Sequence, residues 1–309
     1  MSKRQPILSL CIPTNGAKEW VLPVIESIYT QRVDDNLFEI IISDNGCNTE
    51  LESSLSSFNH NNLFYYKSTD EGFTNQINSI KKGTGLYRKM INHRSCLIPG
   101  ALQQMINLIL KYNDTRPVIY FSDNKIKTNG ENIVECNSYN ELAYNLHYWI
   151  SWSAGVGLWD TDCDKLDKLN PDKLFPHISL IFDIRPESEC IIWNGRYQRM
   201  LNDDGKGGYN VFNTFSVIFL NILSDYVKSG KISKVSYSKI KKKLFGFLCE
   251  LYLREVILPT KRTFELSNIR QSISTHYSTK GYFKMLIFAY FNGIKSIHKK
   301  LKHICHIYR

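Results

Sequence analysis

Residues able to do chemistry gather at two points within the first 50 positions. One apolar run, ILSLCI, ends in Pro13, Thr14 and Asn15, and a second, FEIIIS, ends in Asp44 and Asn45. Hydroxyl, amide and carboxylate groups in such places can hold a polar ligand by hydrogen bonds. Between them lies the helical stretch EWVLPVIESIYTQ. The order is strand, loop, helix, strand, with polar groups at the carboxyl end of both strands. In an open parallel sheet, ligands bind in the crevice at those ends. Taken alone, Asp44-Asn45 is also what a tight turn selects.

The elements that must position these residues follow the same alternation. Strands are expected near Ile7 to Ile12, Phe38 to Ser43, Leu63 to Lys67 and Val118 to Ser122. Helices are expected over Glu19 to Gln31, Glu50 to Ser57 and Gly72 to Lys82, the last with Phe73, Ile77 and Ile80 on one face. Pro99 opens a further helix, GALQQMINLILKY, since proline suits a first turn. Alternating strand and helix argues for an α/β fold with a mostly parallel sheet flanked by helices. Residues 140 to 220 are aromatic-rich and less regular, with Tyr148, Trp149, Trp152 and Trp159 placed to stack on a sugar or to fill a core.

Composition narrows the options. The eight cysteines are scattered and form no CxxC pair, which argues against a zinc site and for reduced thiols in a cytosolic protein. The apolar run after MSKRQP breaks at Pro13, so no signal peptide is visible. No stretch reaches the roughly 20 apolar residues that a membrane span requires. The net charge of +10 is lopsided: from residue 221 onward there are 18 Lys and Arg against four Asp and Glu. A mildly acidic domain is followed by a basic tail, which points to a polyanionic partner.

The opening LSLCIPTNGAKEW and the later FEIIISDNGCNTE resemble the start of family 2 glycosyltransferases of the GT-A fold. In that family an apolar strand runs into P-T-x-N, and the second strand ends in an acidic turn. The resemblance continues through GFTNQINSIKKGTGLYRKMINHRSCLIPGAL, where Gly72, Phe73, Asn75, Gly85, Tyr87, Leu97, Pro99, Gly100, Ala101 and Leu102 match a bacterial surface-polysaccharide branch. It covers about the first 125 residues well, residues 140 to 215 loosely and the tail hardly at all. It implies a GT-A domain over 1–220, with a nucleotide-binding half (1–125) and an acceptor half (126–220), and a basic helical appendage over 221–309. It implies a nucleoside diphosphate sugar as donor, a UDP-sugar first, bound by Pro13, Thr14, Asn15, Asp44, Asn45 and Asn75. Asp44 would accept the imide N–H of uracil or an equivalent donor on another base.

The chain departs from the family at its acidic triplet, which holds a divalent cation against the donor diphosphate. Here that place carries His93-Arg94-Ser95. Mg²⁺ and Mn²⁺ want oxygen ligands, and Arg94 repels a cation, so no metal cofactor is expected. A guanidinium matches phosphate oxygens in pairs and can stabilise a departing diphosphate, which casts Arg94, with His93, in the cation's role. Asp203-Asp204, in the loop LNDDGKGG, is the alternative source of Mg²⁺ or Mn²⁺ ligands, against a plain solvated turn. Lys206 in the same loop is a candidate to cover the diphosphate. The family's catalytic base stands at a helix start. The comparable place here is Pro176-His177, so His177 is the candidate base and Asp183 its alternative or its orienting partner. Asp160 and Asp162 are weaker candidates. A helix-cap or packing histidine is the competing account of His177.

In the tail, Lys239, Lys241, Lys242 and Lys243 precede LFGFLCELYL, while Lys299, Lys300 and Lys302 alternate with Ile297, Leu301 and Ile304. Lysines beside Phe and Leu faces describe helices lying on an anionic membrane surface. No zinc finger, helix-turn-helix or RNP signature supports nucleic acid. The expectation is a cytoplasmic, peripheral enzyme moving a sugar to a hydroxyl of a lipid-linked glycan, with inversion, in O-antigen or capsule synthesis. The competing class is a non-catalytic sugar-nucleotide or glycan-binding module on the same scaffold.

Overall fold

The computed structural model describes residues 5–47, 49–258 and 261–307, with the side chains of 292 and 294–307 outside the described set. The chain forms two compact units, Met1–Asn202 and Asp203–Arg309. The sequence had placed the division at 220/221. Residues 203–220 instead belong to the second unit, because the strand and helix they form pair within it.

The first unit is built on β1 (Leu8–Thr14), α1 (Lys18–Tyr29), β2 (Phe38–Asp44), α2 (Glu50–Leu55), β3 (Leu63–Lys67), α3 (Asn75–Lys82) and β4 (Tyr87–Met90). Next come β5 (Ser95–Leu97), α4 (Ala101–Lys111), β6 (Val118–Phe121), β7 (Ile133–Cys136), α5 (Tyr139–Leu146) and β8 (Gly157–Trp159). The unit closes with α6 (Asp160–Cys163), α7 (Pro176–Phe182), β9 (Cys190–Trp193) and β10 (Gln198–Met200). The main sheet has the order β3-β2-β1-β4-β8, parallel except for β8. A second sheet, β6-β9-β7, and a β5-β10 pair complete the unit.

Every residue of β2 is buried, and all of β1 except half-buried Pro13. That is why these strands read as unbroken apolar runs: a parallel sheet covered on both faces has no wet side. Val21, Val24, Ile25 and Ile28 of α1 are spaced for one helical face and join the same core as Leu8, Leu10, Ile40 and Ile42. A buried acid sits beneath the approach to β4. Glu39 accepts hydrogen bonds from the Ser9 and Thr84 hydroxyls and from the Gly85 amide. Gly85 must lack a side chain, because a Cβ there would stand 2.7 Å from the Ser9 amide nitrogen. The matched glycine is therefore a packing requirement at the approach to β4.

The helices expected at 50–57 and 99–111 are present, the latter beginning at Ala101 behind Gly100 in the left-handed region. The expected 72–82 helix starts as a 3₁₀ turn, Gly72–Thr74, before α3. Sequence periodicity did not reveal β8, a three-residue strand too short to show alternation.

The second unit holds β11 (Gly207–Asn210), α8 (Val211–Asn213), a π segment (Thr214–Ile218), α9 (Phe219–Lys228), α10 (Lys234–Tyr252), β12 (Thr263–Glu265) and α11 (Ile269–Ile307). β11 and β12 pair in parallel. Ser278 has φ 63°, which divides α11 into 269–277 and 279–307. Ile240, Leu244, Leu248 and Leu251 of α10 are buried, Phe247 packs edge-on against Phe215, and Phe245 against Tyr277. The apolar face of α10, read as a membrane face, is thus spent within the unit. The side chains of Ile297, Lys299, Lys300, Leu301, Lys302 and Ile304 lie outside the described residues. Among the described residues, no helix is long and apolar enough to cross a membrane.

Candidate functional site

The parallel strands β1, β2, β3 and β4 share one carboxyl edge. In register, Thr14 lies beside Asp44, and Asp44 beside Lys67. The loop after β1 and the loop after β2 meet there in backbone contact. Asn45 N–H donates to the Thr14 carbonyl at 3.0 Å, and a Cβ on Gly46 would overlap the Asn15 carbonyl oxygen. Pro13 is half-buried, and Asn15 is exposed at the rim.

Asp44 is fully buried. One carboxylate oxygen accepts from the Gly46 amide at 2.8 Å; the other accepts from the Tyr65 hydroxyl at 2.8 Å and Lys67 Nζ at 3.3 Å. Burial, and after it the bond to Asp44, pushes the Tyr65 phenol up. A ligand reaching this carboxylate must displace one of these donors, and Lys67, with its side chain 45% exposed, is the accessible one. Neither Tyr65 nor Lys67 stood out in the sequence. Their signal was positional, since β3 pairs in register with β2 and its last residue had to fall beside Asp44.

Asn75 is almost fully buried and serves the scaffold. Its amide donates to the Ser43 carbonyl at 2.7 Å and accepts from the Ser43 hydroxyl at 2.6 Å, tying α3 to β2. It supports the loop ends from below. Asn45 similarly turns its amide onto the Asp70 and Gly72 carbonyls.

At the end of β4, residues 92–95 form a turn held by Asn92, whose side-chain oxygen accepts from the Arg94 amide at 2.9 Å. His93 Nδ1 lies 2.9 Å from the Thr14 hydroxyl, which also accepts from the Gly16 amide. The Arg94 guanidinium stacks over the Trp20 ring of α1, 4.2 Å from its centre. Both side chains are half-buried. The turn is thus oriented by the first strand–helix unit, through Thr14 and Trp20. The sequence reading passed over Trp20; a large aromatic in the first turn after the ligand loop was its available sign.

A GT-A fold raises the question of a divalent metal. The turn offers an imidazole, a guanidinium and hydroxyls but no carboxylate, which does not fit Mg²⁺ or Mn²⁺. Among the described residues, no group of three or more His, Cys, Asp or Glu is arranged to hold an ion. Asp203 pairs with Arg262 at 2.8 Å and Lys206 at 3.8 Å, and Asp204 with Lys261 at 3.2 Å. Desolvation pushes Asp203 up, but Lys206 and Arg262 outweigh it and hold the carboxyl below its ordinary range. These acids, with Lys206, form an ion-pair cluster inside the second unit.

His177 does begin a helix with proline before it, as the sequence indicated. Every residue of α7 is buried, His177 included. Desolvation pushes its imidazole down to about 4, against the opposing influence of the Ser151 and Ile150 backbone. A sealed, weakly basic imidazole fits the packing account better than the base. Asp183, at the C-terminal end of α7, is exposed. Asp162 is buried in a two-pronged ion pair with Arg185 at 2.7–3.0 Å, and Asp160 pairs with Arg116 at 2.9 Å. Of the aromatic strip, Trp159 is core and donates to the Pro117 carbonyl. Tyr148, Trp149 and Trp152 are half-buried, with Trp152 stacked on Tyr197.

No protein-family model and no curated protein matches the chain. Solved structures match it in fold. Staphylococcus aureus TarS 1–349 in complex with UDP-GlcNAc is 14% identical and aligns with a TM-score of 0.55 over 81% of this chain and 76% of that chain. The same TarS 1–349 in another structure gives 0.53 at 14% identity over 81% and 75%. A further TarS structure gives 0.51 at 13% identity over 81% and 44%. The shared fold is the GT-A-like α/β arrangement.

Proposed function

We propose that the chain is a glycosyltransferase of the GT-A type that takes its sugar from a nucleoside diphosphate donor, a UDP-sugar first. The observation that carries this reading is the carboxyl edge itself. Thr14, Asp44, His93 and Arg94 come together there, on a fold shared with a protein solved with UDP-GlcNAc bound. Asp44 takes the base N–H in exchange for its Lys67 contact, and Arg94, braced on Trp20, faces the diphosphate. The acceptor is a hydroxyl of a lipid-linked glycan in bacterial surface-polysaccharide synthesis, O-antigen or capsule.

The hydroxyl oxygen attacks the anomeric carbon from the face opposite the diphosphate. The bond from that carbon to the diphosphate oxygen breaks, and its electron pair leaves with the nucleoside diphosphate. The sugar is inverted. Arg94 donates paired hydrogen bonds to the negative charge that grows on the leaving group. The acceptor proton passes to water: Asp183 ends α7 close to Arg185, which bonds the Arg116 carbonyl at the amino end of β6, away from the carboxyl edge. No step passes through a metal, because the turn's donors do not suit one.

A transfer assay with a panel of UDP-sugars and a polyprenyl-diphosphate-linked acceptor, with and without EDTA, tests the reading. Turnover insensitive to chelation supports it, and loss of turnover on chelation defeats the assignment of Arg94. The replaced acidic triplet also favours a second reading, a binding module that does no chemistry. Nucleotide binding without turnover for any donor selects that one.

A further inference from the structure

The most concentrated exposed apolar surface lies on the second half of α11. Phe283, Ile287, Tyr290 and Phe291 are 52%, 58%, 56% and 62% exposed. At 100° per residue these four fall on one side of the helix. The opposite side carries Gly281, Met285, Ala289 and Gly293, all buried at four-residue spacing, with Gly293 close against Leu253 of the same unit. The helix therefore already has its packed face, and the aromatic face is a second one turned outward. Lys280 and Lys284 flank it and are exposed.

We infer that this outward face is a docking surface for an anionic phospholipid bilayer, lying in the plane of the lipid headgroups. The charge of the segment selects lipid over other occupants. Residues 266–309 contain eight Lys and Arg and no Asp or Glu. A second copy set against this face would bring like charges together with no acid from the same segment to offset them, whereas an anionic surface complements the segment throughout. Among the described residues no helix is able to span a bilayer, so the aromatic face lies along the interface. The surface differs from the one the sequence offered, because α10 buries its apolar residues in its own unit. The inference stands apart from the donor site and does not need the transferase reading.

The full chain is pelleted with vesicles of phosphatidylcholine alone and of phosphatidylcholine with phosphatidylglycerol. Binding is expected to the second and to weaken as salt screens the charge. The triple variant Phe283→Ser, Ile287→Ser, Phe291→Ser is expected to bind about a hundredfold more weakly, the order set by three apolar side chains no longer burying surface. Its melting temperature is expected to match wild type, because the residues are exposed. A second variant, Lys280→Glu with Lys284→Glu, is expected to lose binding to the anionic vesicles specifically. The inference is overturned if wild type ignores anionic vesicles, or if both variants bind as wild type does. It is also overturned if light scattering shows a dimer that the triple variant dissolves, in which case a second copy covers the face.

Discussion

The ends of β2 and β4 lie on the same sheet edge and are built in opposite ways. At the β2 end a buried carboxylate is surrounded by donors on every side: Gly46, Tyr65 and Lys67. At the β4 end two basic side chains are set by neutral neighbours, His93 by a hydroxyl and Arg94 by an indole face. The first end carries an acid, and the second carries basic side chains where the sequence resemblance implies acids. A nucleotide could use both, since a base offers a donor and a diphosphate offers charge. The difference teaches that a sheet edge can change its electrostatic sign at one strand while the framework beside it stays fixed.

Replacing Arg94 should disturb this contrast most. Arg94→Ala is expected to lower the transfer rate by about a hundredfold to a thousandfold, the range for removing a preorganised charge partner of a developing anion. Arg94→Lys should recover part of it, since lysine cannot make the paired contact or stack as well on Trp20. Steady-state rates at saturating donor decide, and a wild-type rate in Arg94→Ala would erase the distinction between the two ends.

Asp44→Ala should weaken UDP binding by about tenfold to a hundredfold, the order of a hydrogen bond to a charged group. Calorimetry reads this, and melting should also fall because the Gly46 amide and the Tyr65 hydroxyl lose their acceptor. Thr14→Val, which leaves His93 without its hydroxyl neighbour, should cost about twofold to tenfold in turnover, as for a neutral hydrogen bond.

Stability against pH sharpens the β4 side further. Lys89, one residue before Met90, is fully buried among the Ala154 and Met90 carbonyls and the Phe121 and Tyr197 rings. Desolvation pushes its pKa down to about 7, with Asp123 opposing. The unfolded chain then binds the extra proton between about pH 7 and the usual lysine value, so stability rises with pH across that window. Wild type should gain on Lys89→Met as pH climbs from about 7 to 10 in paired chemical denaturation curves. The smallest effect is expected from EDTA, which should change the transfer rate by less than about twofold if no hard cation is held at the turn.

Much of the β2 end was legible in sequence because it is local. β1, α1 and β2 are announced by buried apolar runs, and their loops by Pro13, Thr14, Asp44 and Asn45. The β4 end was legible only as a departure, through His93 and Arg94 where acids were expected. What orients those two, Thr14 and Trp20, comes from some 70 to 80 positions earlier in the chain, a pairing that only the parallel register creates. His177 and Asn75 were singled out by their place in a family-like motif, which says nothing of burial, and packing seals both. α10 shows the limit of periodicity, since a helix that buries its apolar face in its own domain and one that offers it to lipid share the same pattern.

Gly46 has a consequence beyond its own turn. With no side chain between it and Asn15, the loops after β1 and β2 rest main chain on main chain, so neither has slack to yield separately. A displacement imposed on one is expected to press on the other, so that the two loops move as one lip.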